Sequence, residues 1–155
     1  MPCIVFKAED VGATGYESRE ELDAATDLKA RIERIRLATG EAMNLGDVTD
    51  KSVPKMMLVA QPRDGGAVTV RSFIPHRAHA SIGVLGAVTV ATACLIEGSP
   101  AAEVANIPDG TRKTLSIEHP TGEMTCVLEV DDQGAVASAA LLRTARKLMD
   151  GTVYV

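Results

Sequence analysis

From Ile82 to Ile96 the chain reads IGVLGAVTVATACLI, without a single charged residue and with only Thr89, Thr92 and Cys94 as polar or semi-polar members. No face of a helix built from this stretch can point at water, so the pattern predicts a helix buried all round rather than an amphipathic surface one. The run is shorter than the ~20 residues a bilayer span needs, contains Gly83 and Gly86, and has no flanking aromatic anchors. Protein has to cover it instead. Its entrance has the opposite character, because Pro75, a residue favoured near helix starts, is followed by His76, Arg77, His79 and Ser81 in what reads as the first turn. A helix N-terminus carries unpaired N–H groups and roughly half a positive charge, and carboxylates or phosphates are its natural guests. Arg77 can add a bidentate clamp. The same side chains can equally cap the helix and bridge to nearby carbonyls, and the residues alone leave both readings open.

Enclosing such a helix requires a sizeable core. At 155 residues the chain suits one domain, 1–155, able to bury about two-thirds of its unfolded surface. Hydrophobic residues make up 46% and aromatic ones only 3%, so that core is aliphatic. The net charge of −5 argues against nucleic acid or an anionic membrane as a general partner. Cys3, Cys94 and Cys126 are an odd number without CxxC spacing, which speaks against a disulfide framework or structural zinc and for a cytoplasmic home. Cys94 lies far from the polar entrance with no basic neighbour and reads as a core residue. The opening MPCIVFKAED carries charge within seven residues and is not a secretory signal.

Along the chain, Ile4 to Lys7 is strand-like, and Ser18-x-x-Glu21 has capping-box spacing. Ala25, Leu28, Ile32, Ile35 and Thr39 then recur at helical steps, predicting one amphipathic surface helix whose charged residues form a solvated face. Lys55 to Gln61 and Val68 to Phe73 read as a hairpin with Thr69 and Arg71 facing outward. Gly98 and Pro100 end the buried helix, with a loop or short helical turn after it. Thr114 to Glu118, Met124 to Val130, Val136 to Leu142 and Val153 to Val155 supply further strand-like sequence. Strands linked as hairpins favour an α+β fold: a mostly antiparallel curved sheet or partial barrel wrapped around one buried central helix, plus the surface helix.

Taken together, SVPKMMLVA, FIPHRAHASIGVLGAVTVATACLIEG, IEHPTGEMTCVLEV and RTARKLMDGTVYV resemble the PrpF family of aconitate isomerases and related tautomerases. That family looks like a branch of the diaminopimelate epimerase fold, in which two similar domains each wrap a sheet around a helix. The resemblance implies that this chain corresponds to the C-terminal half of such an enzyme. It also implies proton transfer along an allylic system in unsaturated di- and tricarboxylic acids, without metal or organic cofactor. The Lys and Cys assigned to that work in the family lie in the other half, so no catalytic residue carries over here. What does carry over is a substrate-binding set: His76, Arg77, His79 and Ser81 at the helix entrance, with His119, Thr121 and Gly122 in the His119-Pro120-Thr121-Gly122 turn. The family turn usually reads Gly-His-Pro-Ser-Gly, so Glu118 replaces the first Gly and places a carboxylate beside a polyanion site.

His76, His79 and His119 can also be imagined as metal ligands, but no recognised zinc spacing ties an Asp, Glu or Cys to them. Arg143 and Arg146 read as part of a solvated strand face. The expectation is a substrate-clamping half of an isomerase, partnered by a second copy as a homodimer or by a separate N-terminal half, and acting on a small carboxylate. The competing reading is a non-catalytic, carboxylate-binding dimeric module or a remnant.

Overall fold

The computed structural model describes residues 1–153. Strand β1 (Cys3–Lys7) runs into a 3-10 turn (Ala8–Val11) that stops at Gly12, where φ is +75°. Helix α1 (Arg19–Ala24) follows with the capping box formed: Glu21 N donates to Ser18 Oγ at 3.2 Å and Ser18 N to Glu21 Oε2 at 2.7 Å. The helical pattern is then interrupted. Ala25 has ψ of 76°, outside the helical range, so the single surface helix expected there is two, α1 and α2 (Thr26–Gly40). Its charged residues are not all solvated either, because Arg36 is fully buried.

The hairpin of β2 (Lys55–Ala60) and β3 (Val68–Phe73) is antiparallel, as the alternation predicts. Helix α3 (Val84–Ala93), helix α4 (Pro100–Val104) and strands β4 (Arg112–His119), β5 (Gly122–Val130) and β6 (Val136–Leu141) complete the order. Ser99 caps α4, its Oγ accepting from Ala102 N at 3.0 Å, with Pro100 inside the first turn. Val153 belongs to no strand, and the rest of the strand expected over 153–155 lies outside the described residues.

The six strands form one curled sheet in the order β1-β2-β3-β4-β5-β6. It is mixed: β2–β3, β4–β5 and β5–β6 pair antiparallel as expected, while β1–β2 and β3–β4 pair in parallel. A parallel pair needs a crossover, and each here carries a pair of helices. Because β2 and β3 are antiparallel, the two parallel pairs run in opposite senses. Crossovers of the same hand then land on opposite faces of the sheet. Helices α1 and α2 cover one face, Leu22 and Ile32 packing in one cluster with Phe73 of β3, while α3 and α4 cover the other, Ala87, Val90 and Ala101 packing in a second with Leu115 of β4. Strand β2 is sandwiched, with Met56 and Leu58 toward the first layer and Met57 and Val59 toward the second. This explains why it is apolar at every position rather than alternating.

Thr69 and Arg71, expected to face outward, are 2% and 7% exposed. Thr69 Oγ1 donates to Glu118 at 2.5 Å and Arg71 Nε to the Glu17 carbonyl at 2.6 Å, so their face of β3 is covered by polar partners rather than water. Strands β4 and β5 have one packed face only, and Leu115, Ile117, Cys126 and Leu128 point inward from it.

Helix α3 is shorter and less enclosed than the uncharged run suggests. It packs against β1, β4, β5 and β6, with Gly86, Ala87, Val90, Ala91 and Ala93 buried. Val84 and Leu85 in its first turn are 50% and 60% exposed, and Ile96 lies beyond its end at 56%. The helix stops at Cys94, ahead of Gly98 and Pro100. Among the described residues no helix is long and apolar enough to cross a membrane.

Candidate active site at the α3 entrance

His76, Arg77, His79 and Ser81 do not form the first turn of α3. They lie in a bent segment ahead of it that folds back on β3: Ile74 N donates to Arg77 O at 2.9 Å and His79 N to Ser72 O at 2.8 Å. Ala78 N is held by Asp23 Oδ1 at 2.8 Å, which ties the bend to α1. The helix begins only after Gly83, whose extended backbone (φ −74°, ψ 155°) serves as N-cap without a side-chain cap. Nothing from His76, Arg77 or His79 caps it. Its first intrahelical bond is Ala87 N to Gly83 O at 2.9 Å, so the N–H groups of Val84, Leu85 and Gly86 have no intrahelical acceptor.

The distant turn is seated on the segment that carries the entrance residues. Thr121 Oγ1 donates to Ala80 O at 2.8 Å, seating the β4–β5 hairpin turn against the segment between His79 and Ser81. His119 pairs with Gly122 across that two-residue turn, and Gly122 adopts φ of +140°, where side chains are rarely found. Ser81 and His119 line a common cleft of about 470 Å³ with Arg143 and Thr144. Arg143, read from sequence as solvated strand surface, thus stands at this cleft beyond the end of β6.

The two histidines share a local device. Ser81 N donates to His79 Nδ1 at 3.0 Å, and Thr121 N donates to His119 Nδ1 at 3.3 Å. A ring nitrogen that accepts a backbone N–H carries no proton, so each neutral imidazole holds its proton on Nε2. Burial pulls the His119 pKa below the usual value, with the Arg71 charge acting the same way and a hydrogen bond with the Glu123 backbone opposing it. In that tautomer each ring presents its Nε2–H as a donor.

His76 and Arg77 diverge from this group. His76 is exposed and turns to α2, 3.6 Å from Glu33 Oε2. Arg77 is exposed and lines a separate hollow of about 280 Å³ with Arg19 and His79. The concern over Glu118 is also removed by its direction. Adjacent strand residues point to opposite faces, and Glu118 turns away from the site to accept from Arg63 N, Asp64 N and Gly66 N, each at 2.8 Å, as well as from Thr69. Burial raises its pKa, but these four bonds outweigh that and the net shift is downward.

Sequence reasoning passed over two residues. A cavity of about 280 Å³ at the α3 entrance is lined by Lys55 of β2 and Ser72 of β3 together with His79 and the Gly83–Gly86 turn. Both carry a signal in hindsight: Lys55 opens an otherwise apolar strand, and Ser72 continues the inward-facing series of Val68 and Val70. Burial lowers the Lys55 pKa. Cys94 and Cys126 do not line this cavity. Cys94 and Cys126 are buried, and burial pushes their thiols up to about 12 and about 11, far from thiolate chemistry. Among the described residues no group of three His, Cys, Asp or Glu side chains is placed to hold a metal ion.

The fold is that of an isomerase: the structure of methylitaconate-delta-isomerase superposes with a TM-score of 0.83 at 25% identity, covering 97% of this chain and 43% of that one. The family model described as PrpF protein matches residues 1–155, and the chain belongs to the PrpF family. It is 81% identical over 155 residues to the (4E)-oxalomesaconate Delta-isomerase of Novosphingobium sp. strain KA1, covering 100% of this chain and 43% of the relative. It is 54% identical, with the same coverage, to the 4-oxalomesaconate tautomerase of Pseudomonas putida. The chain thus spans less than half the length of these relatives.

Proposed function

We propose that this chain is the substrate-clamping C-terminal part of a PrpF-type isomerase that shifts a proton in an unsaturated di- or tricarboxylic acid of the oxalomesaconate kind. In this reading residues 1–155 form one domain with α3 as the helix its sheet closes around. The proton-moving Lys and Cys come from a segment outside this chain, either a separate N-terminal half or a covalently linked one. The observation that carries the reading is the docking of the His119–Gly122 turn on Ala80, which gathers His79, Ser81, His119 and Thr121 from segments about forty residues apart. Two imidazoles that donate through Nε2 suit a substrate whose carboxylates must be held while its carbon acid is deprotonated elsewhere. Fixed donors of this kind lower the cost of charge developing on an enolate-like intermediate. His76 and Arg77 belong to the same substrate-facing set as outer groups that engage once the rest of the enzyme is present.

The test is a chimera in which this chain replaces the matching part of the Novosphingobium relative, assayed for oxalomesaconate isomerisation. The intact chimera is expected to turn over. His79→Gln and His119→Gln are each expected to lower kcat/KM by about 10- to 100-fold, the loss typical of a donor aimed at developing charge, without lowering the melting temperature. An active chimera indifferent to both substitutions would remove the clamping role.

A further inference from the structure

The bend that carries Arg77 and His79 is fixed by β3 on one side and by a carboxylate on the other. Phe73 and Ala78 face each other across an antiparallel bridge flanked by the Ile74–Arg77 and Ser72–His79 hydrogen bonds. Ala78 makes neither of those bonds, so this is the non-hydrogen-bonded kind of pair and the Ala78 N–H points away from β3. Ala78 is only 3% exposed, and a donor left without an acceptor there is costly. Asp23 Oδ1 accepts it at 2.8 Å. The carboxylate has a firm mount: Leu22 beside it is fully buried, and Lys29 Nζ donates to the Asp23 carbonyl at 2.5 Å, pinning the end of α1 to α2 across the break at Ala25. The second carboxylate oxygen, Oδ2, stands 3.6 Å from Arg19 Nε, beyond hydrogen-bond range, and that Nε is a buried nitrogen without a partner among the described residues. The clamp on the bend is thus one bond short of complete.

We propose that Asp23 is a positioning residue of the isomerisation site: by holding Ala78 N it fixes the peptide on which His79 is carried, and so the direction of the His79 ring. The proposal rests on the reading above that His79 meets the substrate, and it extends the machinery to α1. Ala78 and His79 are consecutive, so a swing of one displaces the other. The ring is itself tied to the local backbone by Ser81 N, which donates to Nδ1 at 3.0 Å, so its aim follows the path of the bend. Arg19, Arg77, Ala78 and His79 line one hollow of about 280 Å³, and Asp23 with its ion-pair partner brackets the segment that the site uses. A misplacement of about 1 Å costs on the order of 100-fold in rate, so a hydrogen bond outside the site has leverage on it. Glu33, the other carboxylate at this bend, stands 3.6 Å from His76 Nδ1 and gives both oxygens to Arg36, which leaves the His79 half to Asp23.

The experiment is a double-mutant cycle in the Novosphingobium chimera. Asp23→Ala is expected to lower kcat/KM about tenfold, the worth of one lost hydrogen bond, and Asp23→Asn, which keeps an acceptor for Ala78 N, to recover most of it. In the His79→Gln background Asp23→Ala is expected to cost less than about twofold, because residues that act through one another are not additive. Full additivity, or Asp23→Ala as active as its parent, would overturn the proposal, whereas an active chimera indifferent to His79→Gln would remove the reading beneath it. A second measurement needs no turnover. In heteronuclear NMR of the 155-residue chain, Asp23→Ala should speed hydrogen exchange at Ala78 N and shift the His79 ring nitrogens and the Ser81 amide. The helical amides of Leu22 and Cys94, bonded to Ser18 O and Val90 O, should stay protected. Unmoved His79 and Ser81 signals would contradict the proposal, and so would loss of protection at Leu22 and Cys94, which would make Asp23 a residue of the fold at large.

Discussion

Glu118 shows how much depends on a single side chain whose direction is invisible in sequence. Its carboxylate satisfies three backbone donors of the loop joining β2 to β3 and the Thr69 hydroxyl, acting as the acceptor a tight loop otherwise lacks. Gly66 is required beside it, because a Cβ there would come within 2.7 Å of Glu118 Cγ and 3.0 Å of the Ser116 carbonyl. Replacing Glu118 by Gln keeps the shape, removes the charge and leaves one loop donor poorly matched. Urea unfolding near neutral pH is expected to show a loss of about 1.5–3 kcal/mol, the worth of a hydrogen bond to a charged group. The pH dependence has a definite sign. A carboxyl whose folded pKa lies below its unfolded value, 4.5, contributes stability that is fully present above 4.5 and is lost as pH falls through the folded value. The wild-type chain should lose this increment on acidification below 4.5, whereas Glu118→Gln should show a shallower acid limb; parallel limbs would refute the assignment.

At the scale of elements, periodicity was a good guide to strands and a poor one to what lies on their polar sides. The alternation in β4 and β5 and the continuous apolar run of β2 were readable because burial leaves a direct imprint on residue type. The parallel pairings were not, since register between strands separated by whole helices depends on packing that no local pattern encodes. The α3 entrance was misplaced by several residues because proline near a cluster of polar side chains marks a bend as readily as a helix start. Arg36 was assigned to a solvated face by composition. It is instead the hub of α2: Nε and Nη2 donate to both oxygens of Glu33 at 2.7 Å, and Nη1 donates to Val48 O at 2.7 Å and to Lys51 O and Val53 O at 3.2 Å. The guanidinium therefore replaces the missing secondary structure of the 45–53 connection. Arg36→Met should cost toward the lower end of about 3–5 kcal/mol, because Glu33 keeps 27% side-chain exposure. Limited proteolysis should then cut within 45–53, and Arg36→Lys should not rescue, since an ammonium cannot bridge a carboxylate and several carbonyls at once. Unchanged protease resistance in Arg36→Met would show that the connection is held by other means.

For the whole molecule, the two crossovers of opposite placement give a sheet covered on both faces near β2 and on one face near β5. The entrance of α3 sits where β2, β3 and the β4–β5 turn converge, so residues from four segments reach one region without any being neighbours in sequence. The histidines and Thr121 are singled out by family resemblance. Lys55 and Ser72 are not, because only the antiparallel register of β2 and β3, which pairs Ser72 with Met57, places them on one face. What this region contains is a set of donors. The thiols of Cys94 and Cys126 are held protonated by burial. The central claim is therefore that the chain binds a polycarboxylate and leaves the chemistry to a partner segment. The direct measurement is isomerisation of oxalomesaconate by the purified 155-residue chain, alone and after addition of the separately expressed remainder of the Novosphingobium relative. The account predicts no turnover alone and turnover on mixing. A rate on the order of 1 per second or more from the chain by itself, within the ordinary range of enzymes, would contradict it.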